Sequence, residues 1–355
     1  MPMTRLRTLS IAILAFLSGA PVLADTPPAI DKSGTATGSA FSIPYSSYAS
    51  PEAAAMFQKV LADGRKTPSL ALGIEPSRTF YDRINSDRAR RMQTIYPVTT
   101  HAETIGGVPT DVVLPANGVS AAQKKRVLIN LHGGGFLWGA HSGGLVESIP
   151  LASLGRIKVV TVDYREGPEH VFPAASEDVA AVYRALLKQY PAKNIGIYGC
   201  SAGGVLTAEA VAWIISKKLP VPGAIGTFCG SVAEFSGDSS YVAPILNGQA
   251  IPSAPLKLAS LPYFAHAKAD DPLVFPANSP ALLAKFPPTL LITGTRDFAM
   301  STEMQSQRLL SAAGVDAELH VWDGMWHSFF SDPQMPESKE AYAVMVSFFD
   351  RHLGR

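Results

Sequence analysis

Ser201 stands in the run Gly199-Cys200-Ser201-Ala202-Gly203-Gly204, between an apolar stretch at 195–198 that reads as a buried strand and a stretch at 205–215 that reads as a helix. Gly-x-Ser-x-Gly between a strand and a helix makes a turn so tight that the serine takes strained backbone angles and its hydroxyl stands clear of the sheet edge. A serine hydroxyl is a weak nucleophile until a neighbouring base takes its proton. That base in turn needs a partner to fix its tautomer and stabilise the imidazolium. Downstream, Asp297 closes Gly294-Thr295-Arg296-Asp297, directly after the apolar run 289–293. His327 lies in Met325-Trp326-His327-Ser328-Phe329, a few residues past the short run 317–321. Alone, Asp297 could equally cap a helix and His327 could be a packed ring. In this order, each at the carboxyl end of a strand, the three could carry acyl transfer through a covalent intermediate.

Such a reaction builds negative charge on an oxygen, and backbone N–H groups can hold it only where no Cβ intervenes. His132-Gly133-Gly134-Gly135-Phe136 follows the apolar run 127–131 and offers that geometry. Gly134 and Gly135 are the expected donors, with Ala202 as a third because it opens the helix after the nucleophile. A glycine run can instead cradle phosphate, but no Gly-Lys-Ser/Thr follows this one. His132 reads as a brace for the loop and His170 as loop packing. Asp271 and Asp323 are rival acids. The first falls in a long irregular segment and the second is only four residues before His327, so Asp297 is preferred.

Placing these groups together requires strands that end on one edge. The runs 127–131, 157–162, 195–198, 224–228 and 289–293 read as buried strands, with helices at 176–190, 205–215, 301–313 and 337–353. This alternation predicts an α/β fold with a mainly parallel sheet covered on both faces. Two further strands, 93–98 and 110–114, are expected around the Gly106-Gly107 turn, and a last one at 317–321. Upstream, Ser50 and Pro51 begin a helix over 51–61, and 77–92 reads as a second. Residues 230–287 are rich in Pro, Ser and Ala with scattered aromatics, too long for a connection and too apolar for a linker. They are expected to fold over the sheet's carboxyl edge, where open α/β sheets bind ligands. The resulting division is a signal segment at 1–24, a leader with helices at 25–92, and a catalytic domain at 93–355 with an insertion at 230–287.

The chain has 355 residues, 47% hydrophobic and 17% charged, enough for one large domain. Arg5 and Arg7 followed by an apolar run at 9–17 and Val22-Leu23-Ala24 read as a cleaved export signal, so a periplasmic or secreted protein with no stable membrane insertion after cleavage is expected. Without those two arginines, the 30 basic and 29 acidic side chains become 28 and 29, a net of about −1. Nucleic acid is therefore not an expected partner. The two cysteines, Cys200 and Cys229, read as separate buried thiols in preference to a bridge, which needs Cα atoms within about 7 Å.

Taken together, His132-Gly133-Gly134-Gly135-Phe136, Asp163-Tyr164-Arg165, Pro168-Glu169-His170, Phe172-Pro173-Ala174-Ala175 and the Ser201 hexapeptide resemble the hormone-sensitive-lipase family of carboxylesterases, over roughly residues 50 to 350. Asp297 and His327 match that family's acid and base in order and setting. The resemblance implies an α/β-hydrolase fold: an eight-stranded, mainly parallel sheet flanked by helices under a helical cap. It also implies hydrolysis of short- to medium-chain esters, with no cofactor and no metal. The expected partners are a small-molecule ester and, at most, a second copy of the chain in a homodimer. Three departures stand out: Cys200 replaces the usual Asp before the nucleophile, Ser328 the usual Gly after the histidine, and Arg165-Glu166-Gly167-Pro168-Glu169 the usual Arg-Leu-Ala-Pro-Glu. Lactone or amide hydrolysis and deacetylation use the same constellation and stay open. A ligand receptor on a retired hydrolase scaffold also stays open, although such receptors typically lack the base that His327 would supply.

Overall fold

The five-residue apolar runs that read as strands are buried from end to end and lie side by side. The computed structural model describes residues 29–38 and 42–354; the expected signal segment at 1–24 lies outside them. The stretch up to Pro44, taken by itself, carries a short exposed antiparallel pair, β1 (Ala29–Ile30) and β2 (Ala36–Thr37).

From Tyr45 onward, α1 (Pro51–Gly64) begins where the Ser50 hydroxyl accepts the Ala53 N–H and Pro51 takes the first position. The next helix, α2 (Glu75–Ile95), is longer than the sequence suggests. Gln93 to Ile95 continue it, so the strand expected at 93–98 begins only at Val98. Pro97 sets that boundary, because a proline drives the residue before it out of the helical region, and Tyr96 sits at φ −120°, ψ 87°.

A hairpin follows, β3 (Val98–Ile105) and β4 (Val108–Pro115), turned at Gly106 and Gly107. Then come β5 (Val127–Leu131), α3 (Ser142–Gly155), β6 (Lys158–Val162), α4 (Ala174–Leu186), β7 (Ile195–Cys200), α5 (Ala202–Ser216) and β8 (Ala224–Phe228). The chain ends with α6 (Ser239–Leu246), α7 (Pro280–Leu283), β9 (Thr289–Arg296), α8 (Met300–Ala312), β10 (Ala317–Trp326) and α9 (Pro336–His352). Strands β3 to β10 form one eight-stranded sheet in the order β10-β9-β8-β7-β5-β6-β4-β3. It is parallel from β10 through β6 and antiparallel at the β4 and β3 edge.

Because neighbouring residues of a strand face opposite sides, each buried strand feeds two cores. Ile129, Ile197, Ile225 and Leu291 meet Val179 and Leu186 of α4 and Leu206 and Val211 of α5 on one side. Leu128, Tyr198, Leu290 and Ile292 meet Ile149 of α3 and Met345, Phe348 and Phe349 of α9 on the other. Each such apolar side chain contributes about 1.5–3 kcal/mol by leaving water.

Segment 230–287 packs along the carboxyl edge. At one end Asn247 Nδ2 donates to the Arg296 carbonyl at 2.9 Å and Ser239 Oγ to the Phe298 carbonyl at 2.8 Å. At the other, Tyr263 stacks on Phe136 with ring centroids 4.6 Å apart. Among the described residues, no helix is long and apolar enough to cross a membrane.

Candidate active site

Strands β5 and β7 are neighbours, paired as far as Leu131 and Gly199. Beyond that rung they part, one into the His132 glycine run and the other into the turn at Ser201. Ser201 sits at φ 58°, ψ −123°, a left-handed conformation that a side chain rarely adopts. Its N–H donates to the Phe228 carbonyl at 2.8 Å, tying the strained turn to β8. The turn closes only over glycine: a Cβ on Gly203 would stand 1.8 Å from the Leu131 carbonyl oxygen.

Asp297 and His327 arrive at the same edge from the ends of β9 and β10. His327 Nε2 lies 2.8 Å from Ser201 Oγ, and His327 Nδ1 lies 2.8 Å from Asp297 Oδ1. Asp297 is fully buried and held on both oxygens, with Oδ1 also accepting the Ala299 N–H and Oδ2 the Thr293 hydroxyl, each at 2.9 Å. Burial pushes this carboxyl up, but the His327 charge and the hydrogen bonds outweigh it and hold Asp297 below the usual carboxylate range. Phe298 stacks on the His327 ring at 4.5 Å and covers one of its faces. A base touching both a serine hydroxyl and a buried, anion-favouring carboxylate can activate that hydroxyl for attack on an acyl carbon.

Gly134, Gly135 and Ala202 lie on the two segments that diverge from β5 and β7, and no described acceptor outside the helix takes their N–H groups. Gly134 has φ +129°, and a Cβ there would fall 1.7 Å from the Trp138 carbonyl oxygen. Trp138 itself stacks on Tyr81 of α2 at 4.5 Å, so α2 lies beside this loop. Arg78 of α2 adds hydrogen bonds to the carbonyls of Leu137 and Gly167.

The rival acids stand elsewhere. Asp323 accepts from the Thr295 hydroxyl at 3.0 Å and from Ser46, and Asp271 accepts the Leu273 N–H. His132 is buried and stacked on Tyr164, while His170 is exposed. Cys200 and Cys229 are both buried free thiols. Cys200 Sγ lies 2.8 Å from Ser328 Oγ and Cys229 Sγ accepts the Ser328 N–H at 3.3 Å, so the two departures from the family pattern at 200 and 328 meet beside His327. Ligand atoms of Cys229, Asp297 and His327 converge closely enough to hold a metal ion, as do those of Asp111, His141 and Asp163. The first set is already committed to the hydrogen bonds above, and in the second His141 bonds Asp111 through its ring and Asp163 through its N–H.

Sequence reasoning passed over Glu147. Its carboxylate accepts the N–H of Gly133 at 2.9 Å, the Asn130 amide at 2.9 Å and the N–H of Cys200 at 3.1 Å. A usable signal was present, since Glu147 is the one charged residue in the otherwise apolar or small sequence of α3.

Residues 128–331 match the family model described as alpha/beta hydrolase fold. An acetyl-hydrolase of Streptomyces hygroscopicus is 28% identical over 280 residues, covering 78% of this chain and 89% of that protein. An esterase of Acinetobacter venetianus is 25% identical over 231 residues, covering 64% and 75% respectively. Among solved structures, an esterase of 30% identity superposes with a TM-score of 0.78 over 89% of this chain and 98% of its own. An esterase from the bacterial hormone-sensitive lipase family, 28% identical, does so with a TM-score of 0.75 over 86% and 99%.

Proposed function

The chain belongs to the alpha/beta hydrolase family and is an esterase of the hormone-sensitive-lipase type; from that premise we propose that Ser201, His327 and Asp297 hydrolyse short- to medium-chain carboxylic esters through an acyl-enzyme. The observation that carries this reading is the continuous chain of contacts from Ser201 Oγ through His327 to Asp297, 2.8 Å at each step.

In this reading His327 Nε2 takes the Ser201 proton as Oγ attacks the ester carbonyl carbon. Asp297 Oδ1 receives the Nδ1–H, which leaves Nε2 free to act as base and stabilises the imidazolium that forms. The carbonyl oxygen, now an anion, is held by the N–H groups of Gly134, Gly135 and Ala202. His327 then gives its proton to the departing alcohol, and a water activated by the same ring cleaves the acyl-enzyme.

Two observations favour small acyl groups. Relatives carry the name acetyl-hydrolase. Bulky rings also stand near the site, with Tyr81 stacked on Trp138 beside the glycine run and Phe235 against Phe298 next to His327. The helices before β3 and segment 230–287 would then form the cap over the acyl pocket. Export to the periplasm or beyond, read from residues 1–24, completes the proposal.

The test is hydrolysis of p-nitrophenyl esters from acetate to palmitate by the wild type and Ser201→Ala. A maximum at short or medium chains, with kcat reduced at least ~10⁴-fold in the variant, is expected. Retained turnover in Ser201→Ala, or a maximum at palmitate, would overturn it.

A further inference from the structure

The two parts of the site that must keep register, the glycine run and the serine turn, leave adjacent strands at a point where strand pairing has already stopped. The last rung between β5 and β7 is Leu131 with Gly199. One residue later on β7 and two later on β5 come the N–H groups of Cys200 and Gly133, and both reach the same side chain. One carboxylate fills that place: Glu147 Oε1 accepts from Gly133 and Oε2 from Cys200. Oε2 also accepts the Asn130 Nδ2–H, and the amide is held in that orientation because its Oδ1 accepts the Thr161 hydroxyl at 2.8 Å. The two segments are also in steric contact, since a Cβ on Gly133 would come 2.9 Å from the Cys200 carbonyl oxygen and 3.3 Å from Ser201 Cβ.

We propose that Glu147 is a positioning residue for ester hydrolysis, a carboxylate that stands in for the next rung between β5 and β7 and so fixes the distance between the oxyanion-binding N–H groups and the Ser201 hydroxyl. It touches neither substrate nor the reacting atoms. Three N–H donors on one carboxylate are what an ionised acceptor requires and what a protonated one cannot fully accept. Burial pushes this carboxyl up to about 8, with the donors from Gly133, Asn130 and Cys200 pulling it back. The carboxylate form, populated as pH rises through that value, is the one whose two oxygens can accept all three donors.

The inference rests on the proposed roles of Ser201, Gly134, Gly135 and Ala202. Glu147→Gln places an NH₂ among three donors, and Glu147→Asp keeps the carboxyl group but withdraws it by one methylene. Both are assayed as the full chain with p-nitrophenyl butyrate. Concentrations are set by organophosphate titration of the reactive serine, so that only folded enzyme is counted. A trifluoromethyl ketone, whose tetrahedral adduct places an oxyanion in the hole, serves as the second probe. The expected result is a ~10- to 100-fold fall in kcat for Glu147→Gln, a smaller one for Glu147→Asp, KM within about twofold, and ketone affinity falling in parallel with kcat/KM. A kcat per titrated site equal to wild type in either variant, or a fall in kcat with unchanged ketone affinity, overturns the proposal. Ser201→Ala run alongside separates the two ideas: activity surviving there removes the underlying mechanism, whereas activity lost there and kept in both Glu147 variants removes this inference alone.

Discussion

His132 Nε2 and Glu166 Oε1 face each other 4.0 Å apart, both buried and neither hydrogen-bonded among the described residues. The other ring nitrogen, Nδ1, lies 2.9 Å from the Gly133 carbonyl oxygen, so in a neutral ring Nδ1 carries the proton and Nε2 presents a lone pair. A lone pair opposite a carboxylate is repulsive, and a proton on Glu166 relieves it. Glu166 occupies the position where the family pattern has Leu, which makes the contact a property of this chain.

Burial raises the Glu166 carboxyl against the pull of Arg78, with Asp163 adding to the rise, while burial lowers His132 and favours its neutral ring. A carboxyl whose folded pKa is raised stabilises the fold below its unfolded pKa, and that contribution is lost as pH rises through the folded value. Glu166→Gln should therefore melt with the wild type near about pH 4 and higher than it, by roughly 2 °C, near pH 8. Thermal melts across that range check the sign. A gap that does not grow with pH would rule the account out.

The thiols beside Ser201, His327 and Asp297 should be inert in the folded enzyme. Burial raises both Cys200 and Cys229, the latter well above an ordinary thiol, and the thiolate is the reactive form. Ellman's reagent should find neither of the two cysteines in the native protein at about pH 8 and both of them after denaturation. Iodoacetamide should leave esterase activity within about twofold. Rapid native labelling of one thiol with loss of activity would contradict this.

Two neighbouring glycines should tolerate alanine very differently. At Gly134 a Cβ would collide with the Trp138 carbonyl, whereas at Gly135, φ +61°, nothing lies within 4 Å of it. Gly135→Ala should fold and cost roughly 1–2 kcal/mol in a denaturant melt, the strain of a left-handed alanine. Gly134→Ala must displace the loop, and kcat/KM should fall at least ~100-fold. Equal losses at both positions would show that φ alone sets the requirement.

Most of the site was legible in the sequence because its parts are local. A tight serine turn, a glycine run at a strand end and an acid after a strand each leave a short signature, and strand-helix alternation brings their ends to one edge. What escaped depends on contacts between distant segments. Helix α3 has no amphipathic period, being buried nearly all round with Gly143, Gly144 and Pro150 inside it, so periodicity could not mark it, and Glu147 went unseen with it. The Cys200–Ser328–Cys229 contacts join three strand ends that only the sheet order brings together. The strand expected at 93–98 failed for a different reason: helix α2 ran on to the limit that Pro97 imposes.

Position along the chain favours Asp297 over Asp323, and the surroundings of the two carboxylates give a sharper test. Asp297 is fully buried with every hydrogen bond directed inward, to His327, Ala299 and Thr293. Asp323 bonds Thr295 and Ser46 near the surface. Asp297→Asn keeps the shape but can present an N–H to His327 Nδ1, favouring the tautomer that places the proton on Nε2, where the base must be vacant. Its kcat should fall ~10⁴-fold. Asp323→Asn gives up only exposed hydrogen bonds, each worth about 1 kcal/mol of stability or less, and kcat should stay within about threefold. If the two variants lost activity equally, the orienting acid would not be fixed by the β9 position. If Asp323→Asn alone were crippled, the roles would be reversed and His327 would take its tautomer from its own loop.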